Sequence, residues 1–595
     1  MGHFFRSLFA SCLGTLLALA LLLFIAIGSL AGLASKGLEK AKVDIKPNSV
    51  LVLTLDKVVP EKTNNVPLSL MELEQEDVLG LHDIIRAIRK AKEDPDIKGI
   101  YLDKVAPVMG WSSASTLRAA LEDFRSSGKF VIAYADLYTQ SGYYIASVSD
   151  EVWLNPIGMV DFRGLSSLIL FFKGMLDKLD VQMRIFYAGK FKSATEPFRS
   201  DKMSPENRLQ VREYLTTVYN SVLADISASR KMALDSLRSA VENFDGRAAH
   251  TALRSRLVDR LAYEDEANKR LKERLGLSQE DKLPLVKIED YFATRVKKTD
   301  WKSKDKIAIV YAEGALVGGK EGEPGEIADG PYVKLLRKVR KDKAVKAIVL
   351  RINSPGGSVL ASENILREVI LCREAGKPVI VSMGDVAASG GYYIACQADS
   401  IFAEPTTITG SIGVFGLIPI LQNTMKNKLG ITADTVRTQR YSAMGTPFFD
   451  FSPDESRLIQ AQIDRIYADF LERVAKGRRM TPEQVHEIAQ GRVWAGQKAR
   501  EIGLVDDLGG LDRALSAAAK RAGIEKYRVV EYPATKTPIE QLLDKITQTS
   551  DPDDEVRTWM MRSDLGELYP MYRMLRDARK NQGIQARLPY EIILR

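Results

Sequence analysis

A serine at position 389 stands between two alanines and two glycines. We expect it just after a strand that ends near Met383, at the start of a helix. A hydroxyl at such a position can simply cap the helix by accepting a backbone N–H. Small neighbours also leave the hydroxyl accessible and place the N–H of Gly390 beside it, as in a strand-turn-helix nucleophile. Ser389 is therefore a candidate nucleophile, with helix capping as the plainer alternative.

A serine nucleophile needs a base, and histidine, the usual one, is scarce in this chain. The four histidines lie in no recognisable site motif, and we interpret them as structural or surface residues: His3, His82, His250 and His486. Lysine can serve instead when burial lowers its pKa enough to leave a neutral amine near neutral pH. Lys192 is such a candidate, although a lysine is ordinarily solvated, and the residues alone leave the two interpretations at even odds.

A pair of glycines follows a predicted strand in the run Asn353–Ser358. Glycines between a strand and a helix let backbone N–H groups point into open space, where they can stabilise an anion or a developing oxyanion. The plainer interpretation of Gly356 and Gly357 is a tight turn that needs positive φ.

The chain repeats itself at a spacing of 248 or 249 residues. Ile97–Leu102 resembles Val345–Leu350, and Gly142–Ala146 matches Gly391–Ala395. The likeness extends over more than 150 residues of each half. Such long self-similarity predicts two copies of one domain.

The two copies differ at the positions that could do chemistry. Gln140 stands where the second copy has Ser389, and Val105–Gly110 replaces the glycine turn. Conversely, Tyr441 stands where the first copy has Lys192. One copy thus keeps a candidate base and the other a candidate nucleophile.

Each copy alternates short β-branched runs with amphipathic stretches, which predicts an α/β fold built of parallel βαβ units. The strands are expected at 50–55, 97–102, 130–135, 307–311, 347–352 and 379–383, and the helices at 81–92, 113–125, 332–340 and 362–373.

Composition narrows the class of protein. The chain has 595 residues, 45% hydrophobic and 27% charged, which is the balance of a globular protein of two or three domains. The net charge is +8, but charges of both signs are interleaved, so we expect no nucleic-acid partner. Of the three cysteines, Cys12 lies in the apolar leader, which leaves at most one bridge, between Cys372 and Cys396.

The leader predicts a membrane anchor. Leu8–Ala34 contains no charged residue, and about 20 apolar residues suffice to cross the hydrocarbon core. We expect an uncleaved span, because the apolar region of a signal peptide is usually shorter. The lysines at 36, 40 and 42 favour a cytoplasmic body by the positive-inside rule.

Several motifs in order resemble the signal peptide peptidase A (protease IV) family in its long, duplicated form. They are Lys192–Ala194 with Glu196–Phe198, Asn353–Gly357, Ala388–Tyr392, Thr409–Gly413 and Gly491–Gly496. The resemblance covers roughly residues 45 to 535 and the anchor.

The resemblance implies a fold and a mechanism. Each copy would have the Clp protease/crotonase-like α/β fold, behind an N-terminal transmembrane helix. Ser389 would be the nucleophile, Lys192 the general base, and Ser411 the residue that helps hold the lysine amine. An oxyanion hole would come from Gly390 and the Gly356-Gly357 turn, with no metal or cofactor.

The resemblance also implies partners and a location. The substrates would be hydrophobic peptides, in particular cleaved signal peptides. The protein would be a homotetramer in the bacterial inner membrane, single-pass, with its catalytic body on the periplasmic side. This location opposes the orientation that the lysines after the leader favour.

The predicted organisation has five parts: an anchor at 1–45, a first repeat at 46–295, a linker at 296–306, a second repeat at 307–535 and a C-terminal extension at 536–595. Two alternatives to a peptidase are a crotonase-like acyl-CoA enzyme, which would not need Ser389, and a membrane-bound scaffold without activity.

Overall fold

The computed structural model describes residues 43–65, 78–296, 303–320, 322, 325–534 and 584–587. The predicted anchor therefore lies, except for its last three residues, outside the described residues. Within the described ranges, no helix combines the length and the apolar character that a membrane crossing needs.

The first copy alternates strands and helices as expected. Its strands are β1 (Ser49–Thr54), β2 (Ile97–Asp103), β3 (Phe130–Tyr138), β4 (Glu151–Val160), β5 (Gln182–Ala188), β6 (Arg260–Leu261) and β7 (Leu285–Lys287). Its helices are α1 (Leu81–Glu93), α2 (Trp111–Arg125), α3 (Gln140–Ala146), α4 (Lys173–Lys178), α5 (Glu196–Arg199), α6 (Pro205–Arg230), α7 (Leu234–Glu242), α8 (Ala249–Arg254), α9 (Glu264–Leu275) and α10 (Ile288–Tyr291).

The second copy follows the same order. Its strands are β8 (Lys306–Glu313), β9 (Ala315–Val317), β10 (Glu326–Ala328), β11 (Val345–Ser354), β12 (Gly356–Ser358), β13 (Val379–Ala388), β14 (Ser400–Ala403), β15 (Ile408–Gly410), β16 (Val414–Ile420), β17 (Val493–Ala495), β18 (Asp507–Leu508), β19 (Arg528–Tyr532) and, far along the chain, β20 (Ile584–Arg587). Its helices are α11 (Asp329–Lys341), α12 (Val359–Glu374), α13 (Gly390–Ala395), α14 (Gln422–Leu429), α15 (Pro453–Arg478), α16 (Pro482–Ile488), α17 (Gly496–Glu501) and α18 (Leu511–Ala522).

Each copy is built on a largely parallel sheet, which confirms the predicted α/β fold. In the first copy the order is β6-β4-β3-β2-β1-β7, with every neighbouring pair parallel. In the second copy it is β17-β15-β13-β11-β8-β19, parallel except between β15 and β17. The central strands are buried nearly throughout, as parallel strands covered by helices on both faces require.

One boundary differs from the sequence prediction in a way that matters. The strand expected to end near Met383 continues as β13 to Ala388, so that Ser389 follows the strand directly. The extension pairs with β15, through Val386 with Ile408 and Ala388 with Gly410. β15 comes later in the chain, so the local pattern of apolar residues could not reveal that its hydrogen bonds extend β13.

A third sheet joins the two copies. Its order is β10-β9-β12-β20-β16-β5, in which β5 belongs to the first copy. β5 pairs antiparallel with β16, from Gln182 opposite Ile420 to Ala188 opposite Val414. Because of this pairing, the segment that follows β5, although part of the first copy, lies against the second copy.

Buried polar contacts fix the copies further. Arg351 in β11 donates two hydrogen bonds to Glu61, of 2.9 and 3.0 Å, and both side chains are buried. The backbone N–H of Ser113 donates to Asp385 at 2.9 Å. Arg351 and Glu61 belong to different copies, and separating the copies would leave two buried charges without a partner. The pair therefore favours one relative position of the copies.

The two cysteines of the second copy form no bridge. Cys372 and Cys396 are both buried and free. They pack into the core of that copy as small apolar side chains.

Candidate active site

Ser389 lies at a strained turn between β13 and α13. Its backbone has φ 56° and ψ −113°, and a positive φ is uncommon for a residue other than glycine. Its N–H donates to Gly410 O at 2.8 Å, and its carbonyl accepts from the N–H of Tyr393 at 2.8 Å. Backbone strain of this kind is concentrated at functional sites, because surrounding contacts must maintain it. No capping hydrogen bond from the Ser389 side chain accompanies α13, which counts against the capping alternative.

Lys192 reaches Ser389 within the same chain. Its Nζ lies 2.9 Å from Ser389 Oγ, 3.1 Å from Ser411 Oγ and 3.2 Å from Ser411 O. The first copy supplies the lysine and the second copy supplies both serines. The candidate base and the candidate nucleophile, each retained by one copy only, are therefore in contact. Ser411 also has positive φ, 51°, and its N–H donates to Arg492 O at 2.7 Å.

Burial sets the charge of Lys192. The side chain is 1% exposed, and the ring of Phe415 lies 5.8 Å from Nζ. Desolvation lowers the pKa of Lys192 to about 7, because burial penalises the charged ammonium form. The nearby Glu196 accepts hydrogen bonds from Ser204 and Asn207 and does not pair with the lysine. An amine that is half neutral at pH 7 can act as a base.

Two glycines of the second copy make room for the lysine stem. A Cβ on Gly491 would lie 2.6 Å from Lys192 Cβ, and one on Gly413 would lie 3.2 Å from Lys192 Cδ. Gly491 also has φ +79°, where a larger residue is strained. Side chains at these positions would push the lysine away from Ser389.

Gln210 of α6 holds the lysine loop against the second copy. Its Nε2 donates to Phe191 O at 3.2 Å and to Ser193 Oγ at 3.0 Å, on either side of Lys192. Its Oε1 accepts from the N–H of Val493 at 3.1 Å. Sequence reasoning missed Gln210, since a glutamine on a helix gives no local signal of such a role.

The glycine turn lies beside Ser389. Gly356 and Gly357 belong to β12, which packs against α13, whose first residue is Gly390. The N–H of Gly356 donates to Ser354 Oγ at 3.2 Å. Gly357 has φ +159°, and a Cβ there would lie 2.0 Å from Leu316 O, so only glycine fits.

A strand from the C-terminal part of the chain fills the space between the glycine turn and β16. β20 runs antiparallel to β12, with Gly357 opposite Ala586, and antiparallel to β16, with Phe415 opposite Gln585. It also packs against α13. β12 and β16, on either side of β20, thus each present a strand edge beside Ser389 that pairs with an extended backbone.

The corresponding place in the first copy holds no dyad. Gln140 begins α3 and is buried, with its Oε1 accepting from the N–H of Arg163 at 3.3 Å. Tyr441 is 41% exposed and lies in a turn region. The histidines have other surroundings: His82 is buried near Glu531, and His486 Nδ1 shares a 3.0 Å hydrogen bond with Tyr467 Oη.

Comparison with known proteins identifies the family. The model of Peptidase family S49 matches residues 123–278 and 372–525, once in each copy. Protease 4 of Salmonella typhi is 38% identical over 476 residues, which covers 78% of this chain and 76% of that protein. The chain belongs to peptidase family S49.

Two further relatives support membership of S49. Protease 4 of Haemophilus influenzae is 37% identical over 500 residues, or 80% of each chain. The chloroplastic serine protease SPPA of Arabidopsis thaliana is 33% identical over 520 residues, or 84% of this chain and 74% of that protein. The resemblance to signal peptide peptidase A and the internal duplication are thus confirmed, and the chain is a member of the Protease 4 and SppA serine protease family.

Proposed function

We propose that this S49 protein is a membrane-anchored serine endopeptidase that degrades hydrophobic peptides, in particular cleaved signal peptides. Ser389 is the nucleophile and Lys192 the general base. The observation that carries the proposal is the 2.9 Å contact between Lys192 Nζ and Ser389 Oγ, at a lysine whose pKa burial lowers to about 7.

The neutral amine has the right neighbours to act as a base. A neutral lysine has two N–H donors and one lone pair. Ser411 O and Oγ are placed to accept the two donors, which turns the lone pair towards Ser389 Oγ. The lone pair then takes the Ser389 proton as the oxygen attacks the peptide carbonyl.

The remaining steps use the same two residues. The ammonium of Lys192 gives its proton to the leaving amine, which leaves an acyl ester on Ser389. Lys192, neutral again, takes a proton from the water that attacks the ester, and returns it to Ser389 Oγ as the bond between that oxygen and the acyl carbon breaks. The N–H groups of Gly390 and Gly357 stabilise the oxyanion of each tetrahedral intermediate. Gly356 contributes less in this proposal, because its N–H already donates to Ser354.

The space that β20 occupies is the proposed path of the substrate. A peptide in that path would pair with β12 and β16 through its backbone, which is how sheet edges bind extended peptides. It would have to displace β20. Backbone pairing is independent of sequence, as degradation of varied signal peptides requires.

The location and assembly rest on the sequence. The uncharged stretch Leu8–Ala34 supports a single-pass anchor in the inner membrane. The resemblance supports a catalytic body on the periplasmic side and association into a homotetramer. Within each chain, two copies of the Clp protease/crotonase-like fold form one catalytic site.

Labelling with a serine-reactive fluorophosphonate tests the proposal on the full chain in detergent. We expect one labelled serine per chain, at Ser389, and no label in Ser389→Ala or Lys192→Met. Ser516→Ala and Lys190→Met, at exposed positions, should keep the label. Hydrolysis of a hydrophobic fluorogenic peptide should be lost equally in both site variants and in the double variant, because the dyad acts as a unit.

The labelling also separates the alternatives. An acyl-CoA enzyme or a scaffold would not depend on Ser389 and would show no label there. If Ser389→Ala keeps most of its kcat towards the peptide, the assignment of the dyad is wrong.

A further inference from the structure

A short segment of the second copy, just before β17, connects the loop of Lys192 with the loop of Ser411. The N–H of Phe191, the residue before the lysine, donates to Gln490 O at 2.9 Å. On the other side, the N–H of Ser411 donates to Arg492 O at 2.7 Å. The segment therefore has backbone hydrogen bonds to both loops.

This segment has a backbone conformation that contacts with its surroundings must maintain. Gln490 has φ 54° and Gly491 φ 79°, two successive positive values. A positive φ is uncommon for a residue other than glycine and persists where neighbouring groups enforce it. The N–H of Gln490 donates to Tyr467 Oη at 3.1 Å, which holds one end of the segment. The side chain of Arg492 holds the other end.

The guanidinium of Arg492 lies against two aromatic rings and a carboxylate. Its Cζ is 4.8 Å from the centre of the Phe191 ring and 4.1 Å from the centre of the Trp494 ring. Its Nη2 donates to Glu213 Oε2 of α6 at 2.5 Å. The arginine side chain is 20% exposed. Three neighbours thus fix a planar, charged group in one place.

Each of the two rings leads to one member of the dyad. Phe191 directly precedes Lys192 in the chain. Trp494 packs on Gly410, where a Cβ would lie 2.9 Å from Trp494 Cδ1. The carbonyl of Gly410 in turn accepts the N–H of Ser389 at 2.8 Å. The guanidinium therefore contacts neighbours of both the base and the nucleophile.

The first copy lacks this arrangement, as it lacks the dyad. Arg247 stands at the position of Arg492, 245 residues earlier, and at the same spacing Ala249 replaces Trp494. The guanidinium of Arg247 donates to the backbone carbonyls of the residues three and four positions before it, and the side chain is exposed. Arg247 is thus the matched arginine of the copy without a nucleophile.

We propose that Arg492 is a positioning residue for the dyad. By holding the two rings in place, it keeps Lys192 Nζ within reach of Ser389 Oγ and closed off from water. The inference rests on the proposed function, in which these two atoms exchange the proton. Arg492 acts through its neighbours and takes no part in the proton transfers.

The shape of the guanidinium carries this role, rather than its charge. A guanidinium is planar, so it can stack on a ring while its N–H groups bond a carboxylate, whereas an ammonium on a flexible stem cannot do both. Desolvation is the cause that lowers the pKa of Lys192, with no contribution from the charges of Lys190, Glu196 or Arg492. Arg492→Lys keeps the charge and removes the stack, and so separates packing from electrostatics.

Steady-state kinetics of Arg492→Lys, on the full chain in detergent, test the proposal. With a hydrophobic fluorogenic peptide, kcat should fall about tenfold to a hundredfold because the base is displaced, while KM changes little. The ionisation in kcat/KM should move upward by about one pH unit, because water reaches the ammonium form. The matched control, Arg247→Lys, should keep the kcat, the KM and the pH profile of the wild type.

Three outcomes would overturn the proposal. One is an Arg492→Lys variant with the kcat and pH profile of the wild type. Another is a lower kcat with an unmoved ionisation, which would mean a general loss of structure. The third is a raised KM with an unchanged kcat, which would make Arg492 a substrate-binding residue. Absence of Ser389-dependent hydrolysis in the wild type would instead refute the proposed function, so the two failures are distinguishable.

Glu213→Gln provides a second variant in case Arg492→Lys does not fold. Glu213 is 48% exposed on α6, and an exposed ion pair contributes about 0 to 1 kcal/mol, so the Tm should stay near that of the wild type. Loss of a negative charge would by itself lower the pKa of a lysine. An upward movement of the ionisation, smaller than in Arg492→Lys, would therefore come from the loosened guanidinium. If the pH profile is unchanged or moves downward, Glu213 does not anchor Arg492 and the proposed contact with α6 has no role.

Discussion

Replacing the buried Lys192 should make the protein more stable at neutral pH. Burial moves the pKa of Lys192 from the ordinary 10.5 to about 7. At 1.36 kcal/mol per pH unit, this shift corresponds to about 5 kcal/mol of folding free energy lost at pH 7 and below. Lys192→Met removes that loss and keeps an unbranched stem between Gly413 and Gly491. The variant also loses hydrogen bonds to Ser411, which costs about 1 to 3 kcal/mol, so the net gain is about 2 to 4 kcal/mol.

The gain must disappear at high pH. The unfolded chain keeps the lysine protonated up to pH 10.5, whereas the folded protein releases the proton above about pH 7. Folding therefore releases a proton between these values, and the stability of the wild type rises with pH across this window. Above it the lysine is neutral in both states, so its replacement no longer removes a cost. The only remaining effect of Lys192→Met is the stability lost with the hydrogen bonds to Ser411.

Thermal unfolding at pH 7 and pH 10 measures the difference. For the roughly 500 residues that the structure describes, 1 kcal/mol corresponds to about 1 °C in Tm, so the variant should melt about 2 to 4 °C above the wild type at pH 7 and no higher at pH 10. The exposed Lys190→Met is the matched control and should shift Tm equally at both pH values. A variant that is no more stable at pH 7, or equally stabilised at both, would refute a neutral, desolvated Lys192.

Three further outcomes are expected. The kcat/KM of the wild type, from initial rates with a fluorogenic peptide, should rise between pH 5 and pH 9 along one ionisation near pH 7, as Lys192 loses its proton; a flat profile would contradict a lysine base. Gln140→Ser should still give one acylated serine per chain by active-site titration, because Tyr441 cannot act as the base; two would show that the first copy retains a latent site. Gln210→Leu should lower kcat at least tenfold and move the ionisation upward, because a loosened loop admits water to the ammonium form; an unchanged pH profile would reduce Gln210 to a packing role.

The sequence predicted the repeating architecture well because its signals are local. The strands and helices of both copies lie within a few residues of their expected positions, from β1 (Ser49–Thr54) to α12 (Val359–Glu374). The differences from Gln140 and Tyr441 made Ser389 and Lys192 candidates, and the resemblance to the signal peptide peptidase A family singled them out. Comparing two copies in one chain revealed which positions had changed.

The remaining features of the site depend on contacts between distant segments. Gln210 acts by bridging Phe191 and Val493, which are more than 300 residues apart. β20 joins the third sheet from a region whose sequence has no counterpart in the first copy. Neither contact leaves a periodic or compositional mark, and so neither could be predicted.

The division of the proposed dyad between the copies has a consequence for the order in which the site can form. A ribosome completes the lysine-bearing copy first, and at that stage the chain contains no nucleophile that could use it. Ser389 follows, but Gly491, against which the stem of Lys192 packs, is synthesised 102 residues later. If Ser389 and Lys192 act as proposed, a chain that is still emerging, or whose copies have not docked, lacks a complete site. In the proposed mechanism, proteolytic activity requires that synthesis of both copies and their docking are complete.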